Sequence, residues 1–403
     1  MFEIAFLLDA NISSDMLSQV QMLAQGLKDS SHFRARLVLF GPVDRSSAIA
    51  RCWPNLGSSG NAAVGGLKIY CLPRPRGLAQ LDVLSLARSQ ALAGCSLLHC
   101  FSLSLLDTLV SLSAKKMLPA SQLGGPASQL GGPALLLSLS AWPGKQVACK
   151  LAQLCSSPSR RVICFTVDLR EALIAGGVPA ERCSVILPEP PTLRKAPDRL
   201  TARKQLGLSE DLDILLAAPE ISYSSHHRQL TWAAAIIGQF RPGLRVLVAG
   251  CDARLTGLRA FDDSLNPPSL GIYPNEKFEP QVLYAASDLL VLPATEAICP
   301  LPLLRAGQTH LPVVASDSQA FRQYLHHERN ALLFSPNQHS PGNRTCRRIR
   351  PLATTIVRAL ENRSLSQRLA EQLAQDLNSS FPSGRFLPAH LELYQQILGQ
   401  GRL

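Results

Sequence analysis

A single rhythm constrains this chain more than any other feature. Apolar runs of strand length alternate with stretches of helical periodicity, and the alternation occurs twice, on either side of the Pro-rich, charged segment EPPTLRKAPDR at 189–199. In the first half, 4–8 reads as a buried strand. Met16, Leu17, Val20, Leu23, Ala24 and Leu27 then recur at helical spacing, with Ser13 or Ser14 as N-cap. Further strands are expected at 37–40, 67–72, 97–101, 135–139, 161–167 and 183–187, with helices over 78–94 and 103–117 and one ending at Ala175. Residues 57–66 read as a Gly/Ser-rich loop, and Pro73 and Pro75 stop the strand that precedes them. The second half repeats the pattern, with strands at 214–217, 244–249, 289–292, 313–316 and 332–334 and helices near 228–240, 279–286, 301–308 and 318–325. Such alternation predicts parallel sheets with helices on both faces. The segment between the halves has the composition of an extended linker. The default site is then a cleft between two domains, lined by the carboxyl ends of both sheets. The heptapeptide ASQLGGP stands twice in tandem, at 120–126 and 127–133. So short a Gly/Pro repeat buries no face and reads as a duplicated surface loop.

At 403 residues the chain is long enough for two cores. A content of 46% hydrophobic and 17% charged residues is that of a globular chain, not a disordered one. No apolar run reaches the ~18–20 residues of a membrane span. The amino terminus, MFEIAFLLDA, carries Glu3 and lacks the basic n-region of a signal peptide. A cytoplasmic chain is expected, and the Asn-x-Ser/Thr triplets at Asn343, Asn362 and Asn378 then carry no glycan. The 11 cysteines are scattered without a C-x-x-C pair, which predicts small buried residues in a reducing compartment and no zinc site. A formal net charge of +11 favours anionic partners: a nucleotide sugar, other phosphates, or an anionic membrane touched peripherally at its inner face. Nucleic acid is not expected. The one dense basic cluster, Arg344, Arg347, Arg348 and Arg350, has no interleaved aromatics to stack bases.

The most informative segment is LYAASDLLVLPATEAICPLPLLRAGQTHLPVVASD at 283–317. Its apolar run 289–292 stops at Pro293, a loop occupies 294–300, and a helix starts at Leu301, where Pro300 and Pro302 suit a first turn better than an interior. A helix start presents unpaired backbone N–H groups and a partial positive charge, a natural seat for a diphosphate.

This segment resembles the donor-domain core of family 4 glycosyltransferases, and further blocks extend the resemblance over most of 160–336. ICFTVDLREALIAGGVPAERCSVILPEP at 163–190 is similar to the segment that closes the family's first domain. RKQLGLSEDLDILLAAPE at 203–220 and RQLTWAAAIIGQFRPGLRVLVAG at 228–250 look like the opening of its donor domain, and HERNALLFSP at 327–336 follows the main block. The resemblance implies an α/β chain of the GT-B fold, with two Rossmann-like α/β/α domains facing each other across a cleft. An acceptor-side domain is expected at 1–188, a linker at 189–202 and a donor-binding domain at 203–385. A C-terminal helix at 386–403 is expected to cross back to the first domain. The activity implied is transfer of a sugar, with retention, from a nucleotide-sugar donor to a glycan or lipid-linked acceptor, without metal or other cofactor.

The same resemblance locates candidate site residues. Members hold the donor with two glutamates eight positions apart. Read without gaps, those positions are Ala297 and Arg305, and Glu296 lies one residue early, as a substitute donor-binding and catalytic group. An arginine and, five residues on, a lysine grip the diphosphate. The matching positions are Glu220 and Ser225, which leaves Ser225, His226, His227 and Arg228 as replacements. Arg305, early in the helix that begins at Leu301, is a further phosphate ligand. On the acceptor side the family's Gly-rich loop corresponds to DANISS at 9–14, where Asn11 can turn the chain. A histidine of the family is replaced around Ser140, and His99, at the end of a strand, is carried over as catalytic. Charge builds on the leaving phosphate during transfer, so each lost donor costs about 10²–10³ in rate. The alternative reading is therefore a catalytically impaired relative that keeps the fold as a binding or scaffold module.

Overall fold

The computed structural model describes residues 2–9, 12, 14–41, 49, 61–64, 67–72, 91–106, 133–190, 197–217, 226–248, 253–265, 271–272, 278–296, 299–336 and 344–399. The chain divides into two compact units, one of Met1–Glu189 with Ser383–Leu403 and one of Pro190–Pro382.

The first unit begins with β1 (Phe2–Asp9), followed by α1 (Ser14–Lys28), β2 (Phe33–Phe40), β3 (Asn61–Val64), β4 (Leu67–Leu72) and β5 (Leu97–Cys100). Then come β6 (Ala134–Leu139), α2 (Lys145–Leu154), β7 (Arg160–Cys164), α3 (Val167–Ala175) and β8 (Cys183–Val185). The sheet order is β3-β4-β2-β1-β5-β6-β7-β8. Every pairing is parallel except β3 with β4. β1 lies centrally and its residues 4–8 are all buried, because a parallel strand covered on both faces must be apolar throughout rather than alternating. Thr166 caps α3 by accepting from the Leu169 amide at 3.1 Å.

Three expectations change here. The loop expected over 57–66 contains β3, which pairs antiparallel with β4 in the register Val64↔Leu67. Only Gly65 and Gly66 separate them, the two-residue connection that favours a hairpin. The helix expected at 103–117 is, where described, a 3₁₀ turn at Leu103–Leu105, and residues 91–94 at the end of the other expected helix form a turn. The rest of both helices, and the tandem heptapeptide up to 132, lie outside the described residues. α2 had no counterpart in the sequence reading. It starts after Gly144, which sits at φ 89° and offers no side-chain cap to mark the boundary.

The second unit runs α4 (Arg199–Leu206), β9 (Asp213–Ala217), α5 (His227–Gly238), β10 (Leu244–Leu247), α6 (Ala253–Asp263), β11 (Gly271–Ile272) and α7 (Pro280–Ala286). It continues with β12 (Leu289–Leu292), α8 (Leu301–Gln308), β13 (Val313–Ser316), α9 (Gln319–Arg322), β14 (Leu332–Phe334), α10 (Arg344–Glu361) and α11 (Arg363–Ser380). Its sheet is parallel, in the order β11-β10-β9-β12-β13-β14. The extended linker expected to reach 202 ends sooner. Asp198 accepts from the Thr201 amide at 2.9 Å and starts α4 at Arg199.

Arg203 of α4 fixes this helix to the sheet. Its side chain is 0% exposed and donates to the carbonyls of Ala286, Ser209, Glu210 and Leu212 and to Asp288. Asp288 also accepts from Arg199 at 2.7 Å and from the Ile214 amide at 2.7 Å. The amino ends of β9 and β12 are thus tied together by a hydrogen-bonded ion-pair network in which Arg203 is buried and Asp288 partly so.

The last helix, α12 (Phe386–Gly399), returns to the first unit, as the sequence predicted. Phe386, His390, Leu393, Tyr394, Ile397 and Leu398 form its buried face. Gly26 of α1 touches Leu387, so the two helices meet where α1 has no side chain. Among the described residues no disulfide forms, and Cys95, Cys100, Cys155, Cys164, Cys183 and Cys299 are buried free thiols.

Candidate functional site

The topology of the second unit locates the site. From β9 the chain winds through α5 to β10 and on to β11 on one side, then crosses to β12, β13 and β14 on the other. The winding direction reverses between β9 and β12. In open parallel sheets the crevice beyond the carboxyl ends of the two strands at such a reversal is where ligands bind, because the loops leaving them diverge.

Two chain segments border that crevice. The first leads out of β9 into α5. Its described end is His226, with φ 56° and ψ 33°, a left-handed conformation that His tolerates better than most residues. The second is the loop after β12. The Ala294 carbonyl in this loop accepts from Ser316 and Ser318 hydroxyls at the end of β13, which holds the turn against the sheet. His226 Nε2 lies 3.0 Å from Thr295 Oγ1, so the two segments are joined across the reversal point. Gln229 approaches the other ring nitrogen at 3.5 Å. Glu296, next in the loop, is exposed.

α8 begins beyond this loop with Pro300 at its N-cap and Pro302 within its first turn. The Pro300 carbonyl accepts from the Leu304 amide at 3.0 Å. That leaves the amides of Leu301 and Leu303 at the head of the helix, since Pro302 has none. The site therefore offers an oriented pair of backbone donors, a helix dipole, an imidazole, a hydroxyl and a carboxylate. These are the groups that bind a diphosphate and a polyhydroxylated ring.

The other expected residues are placed differently. His227 is buried in the first turn of α5, where its carbonyl accepts from Thr231. The Arg228 guanidinium stands 5.4 Å over the ring of Phe261, on the side of α5 that faces α6. Arg305 is 6% exposed within α8, which packs against α11 through Gly307 and Leu377. Ser225, Ala297 and Glu220 lie outside the described residues, as does Asn11. Ser140 follows the carboxyl end of β6 and is half-buried.

His99 is corrected from a catalytic group to a core residue. It is 0% exposed, with the Tyr394 hydroxyl 2.7 Å from Nδ1 and the Ser138 hydroxyl 2.8 Å from Nε2. Burial, and then the neighbouring His390, hold its pKa well below the usual range, so the ring stays neutral. A neutral ring has one N–H, so one hydroxyl accepts from it and the other donates to it. His99 fastens α12 to the sheet. Thr295, absent from the sequence-based candidates, is brought to the site by its pairing with His226. A polar residue just after a Pro-terminated strand was the only signal for it.

Two doubly wound parallel units, the second closed by helices after β14 and the chain ending on the first, define the GT-B class of α/β proteins. Within that class, residues 198–373 match the family described as "Glycosyl transferases group 1". Among solved structures, Anabaena HepE, crystallised with UDP and glucose, is 16% identical at a TM-score of 0.69, over 98% of this chain and 100% of its own. Sucrose-phosphate synthase from Thermosynechococcus elongatus is 16% identical at 0.69, over 99% and 100%. A glycosyltransferase from Rickettsia africae is 12% identical at 0.64, over 98% of both chains. No curated protein matches the chain. Among the described residues no helix is long and apolar enough to cross a membrane.

Proposed function

We propose that this protein is a glycosyltransferase of the family 4 kind that takes a nucleotide-sugar donor and transfers its sugar, with retention, to a glycan or lipid-linked acceptor. The observation that carries the reading is the crevice at the β9–β12 reversal, bridged by His226 and Thr295 and headed by the amino end of α8. The donor's diphosphate lies on the Leu301 and Leu303 amides, where charge developing on the leaving phosphate meets preorganised donors. His226 supplies a further contact to the phosphates, and Glu296 accepts from the sugar's hydroxyls. The crystal structures of HepE with UDP-glucose support a donor of this chemical class. The acceptor is held by the first unit, near Asn11 and Ser140. No metal takes part, so turnover should persist in excess chelator.

A second reading is favoured by one observation. One of the two arginines available in sequence to neutralise a leaving phosphate is committed elsewhere, Arg228 to the ring of Phe261. A protein of this kind binds the nucleotide without turning it over. Thermal denaturation with a panel of nucleoside diphosphates tests both readings. A ligand at 100 times its Kd adds about 2.7 kcal/mol. A shift with release of nucleotide from the matching nucleotide sugar supports the transferase, a shift without release supports the binding module, and no shift with any nucleotide contradicts both.

A further inference from the structure

We propose that the flank of the second unit formed by α5 and α10 docks on a membrane surface of anionic lipid. A groove of about 500 Å³ runs between these helices, lined by Trp232, Ile236, Phe240, Ile349, Ala353 and Val357, with Arg350 at its edge. Phe240 is 64% exposed and Ile236 43%, and Phe240 is the most exposed large apolar side chain among the described residues. Arg228, Trp232 and Ile236 recur every four residues along α5, and Phe240 stands in the turn that follows it, so a cation and three apolar groups adjoin one another. Trp232 meets Phe261 edge-on at a ring separation of 6.5 Å, and Arg228 covers that same ring, which continues the surface onto α6. An exposed apolar strip of this extent marks an interaction surface.

The charge around the groove selects the partner. α5 carries no Asp or Glu, and α10 carries none before Glu361. The first seven residues of α10 include Arg344, Arg347, Arg348 and Arg350. A helix pair with apolar side chains exposed between arginines has the chemistry of a surface that sinks a few side chains into the interface while cations meet anionic headgroups. A second copy of the chain, docked through the same face, would set like-charged arginines such as Arg350 near one another. The apolar part of the surface, Trp232, Ile236 and Phe240, lies beyond the first turn of α5, whose amino end borders the crevice. It does not depend on the donor reading.

The test is co-sedimentation of the full chain with vesicles of phosphatidylcholine alone and of phosphatidylcholine mixed with phosphatidylglycerol, without nucleotide. Binding to the mixed vesicles only is expected, lost in high salt. The double change Ile236→Ser and Phe240→Ser should weaken it about tenfold or more while leaving the thermal melt unchanged, because both side chains are already exposed. Arg350→Glu should weaken it independently, and it stands as the test if the double variant fails to fold. Binding to neither vesicle, equal binding to both, or binding unaffected by these variants would overturn the proposal. So would a dimer in light scattering that Phe240→Ser dissolves, in the absence of vesicle binding.

Discussion

His390 has its Nδ1 2.8 Å from the Phe386 carbonyl and its Nε2 without a hydrogen-bond partner among the described residues. Nδ1–H therefore donates, and Nε2 keeps a bare lone pair in the core. Burial pushes the pKa of the ring down to about 4, against a weaker opposing pull from that carbonyl. Above about pH 7 the ring is neutral in both folded and unfolded chains. As pH falls through the ordinary value near 6.5, the unfolded chain takes up a proton that the folded one refuses until about 4. Stability should therefore drop on acidification across this window, by about 3 kcal/mol from this residue. His390→Leu should flatten the acid limb of a melting-temperature profile, and an unchanged limb would remove His390 as its source. Tyr394 works at the other extreme. Burial raises its pKa well above the usual 10, so stability should fall as pH rises past the unfolded value. Arg203→Met tests the buried network at the base of the second unit. It leaves Asp288 and several carbonyls short of a donor and should cost about 3 kcal/mol in urea denaturation.

Between elements, fit is set by small residues at two helix crossings. Gly26 on α1 touches Leu387 on α12, and a Cβ on Gly307 of α8 would stand 3.0 Å from the Leu377 side chain on α11. Gly26→Val should force α12 off the first unit and destabilise it by about 1–3 kcal/mol, visible as a lower melting temperature and easier proteolysis after Pro382. The same elements show what the amino-acid order makes readable. The strands β12, β13 and β14 and the helix α8 lie where the sequence placed them, because buried parallel strands are continuous apolar runs and prolines mark both the end of β12 and the start of α8. β3 escaped because Asn-Ala-Ala-Val is a weak strand sequence whose only signal is the Gly-Gly dipeptide that follows it. His99 was misread because its partner Tyr394 is 295 positions away, and nothing local distinguishes a ring clamped in the core from one facing a substrate. The orientation of Arg228 was hidden for a related reason: helical spacing gives a residue's position along the helix, but the packing of α6 decides which way it points.

At the scale of the molecule, each unit has its own sheet and its own winding reversal, and the chain ties its last helix to the first unit rather than the second. In the second unit the charged network of Arg203 and Asp288 lies at the amino ends of the strands, while the polar groups that can meet a ligand lie at the carboxyl ends. The buried charge network and the proposed donor site thus lie at opposite edges of one sheet. The variants Arg203→Met and Thr295→Val should separate them: the first lowers stability in the absence of ligand, while the second leaves it within about 0.5 kcal/mol and weakens nucleotide binding. The central claim is that the diphosphate sits at the β9–β12 reversal. Hydrogen exchange of the full chain with and without a saturating nucleoside diphosphate tests it directly. Slowed exchange at the amides of 301 and 303 and around 226–230, with no change around 97–103 of the first unit, is the predicted result. Protection confined to the first unit, or none anywhere at saturation, would contradict it.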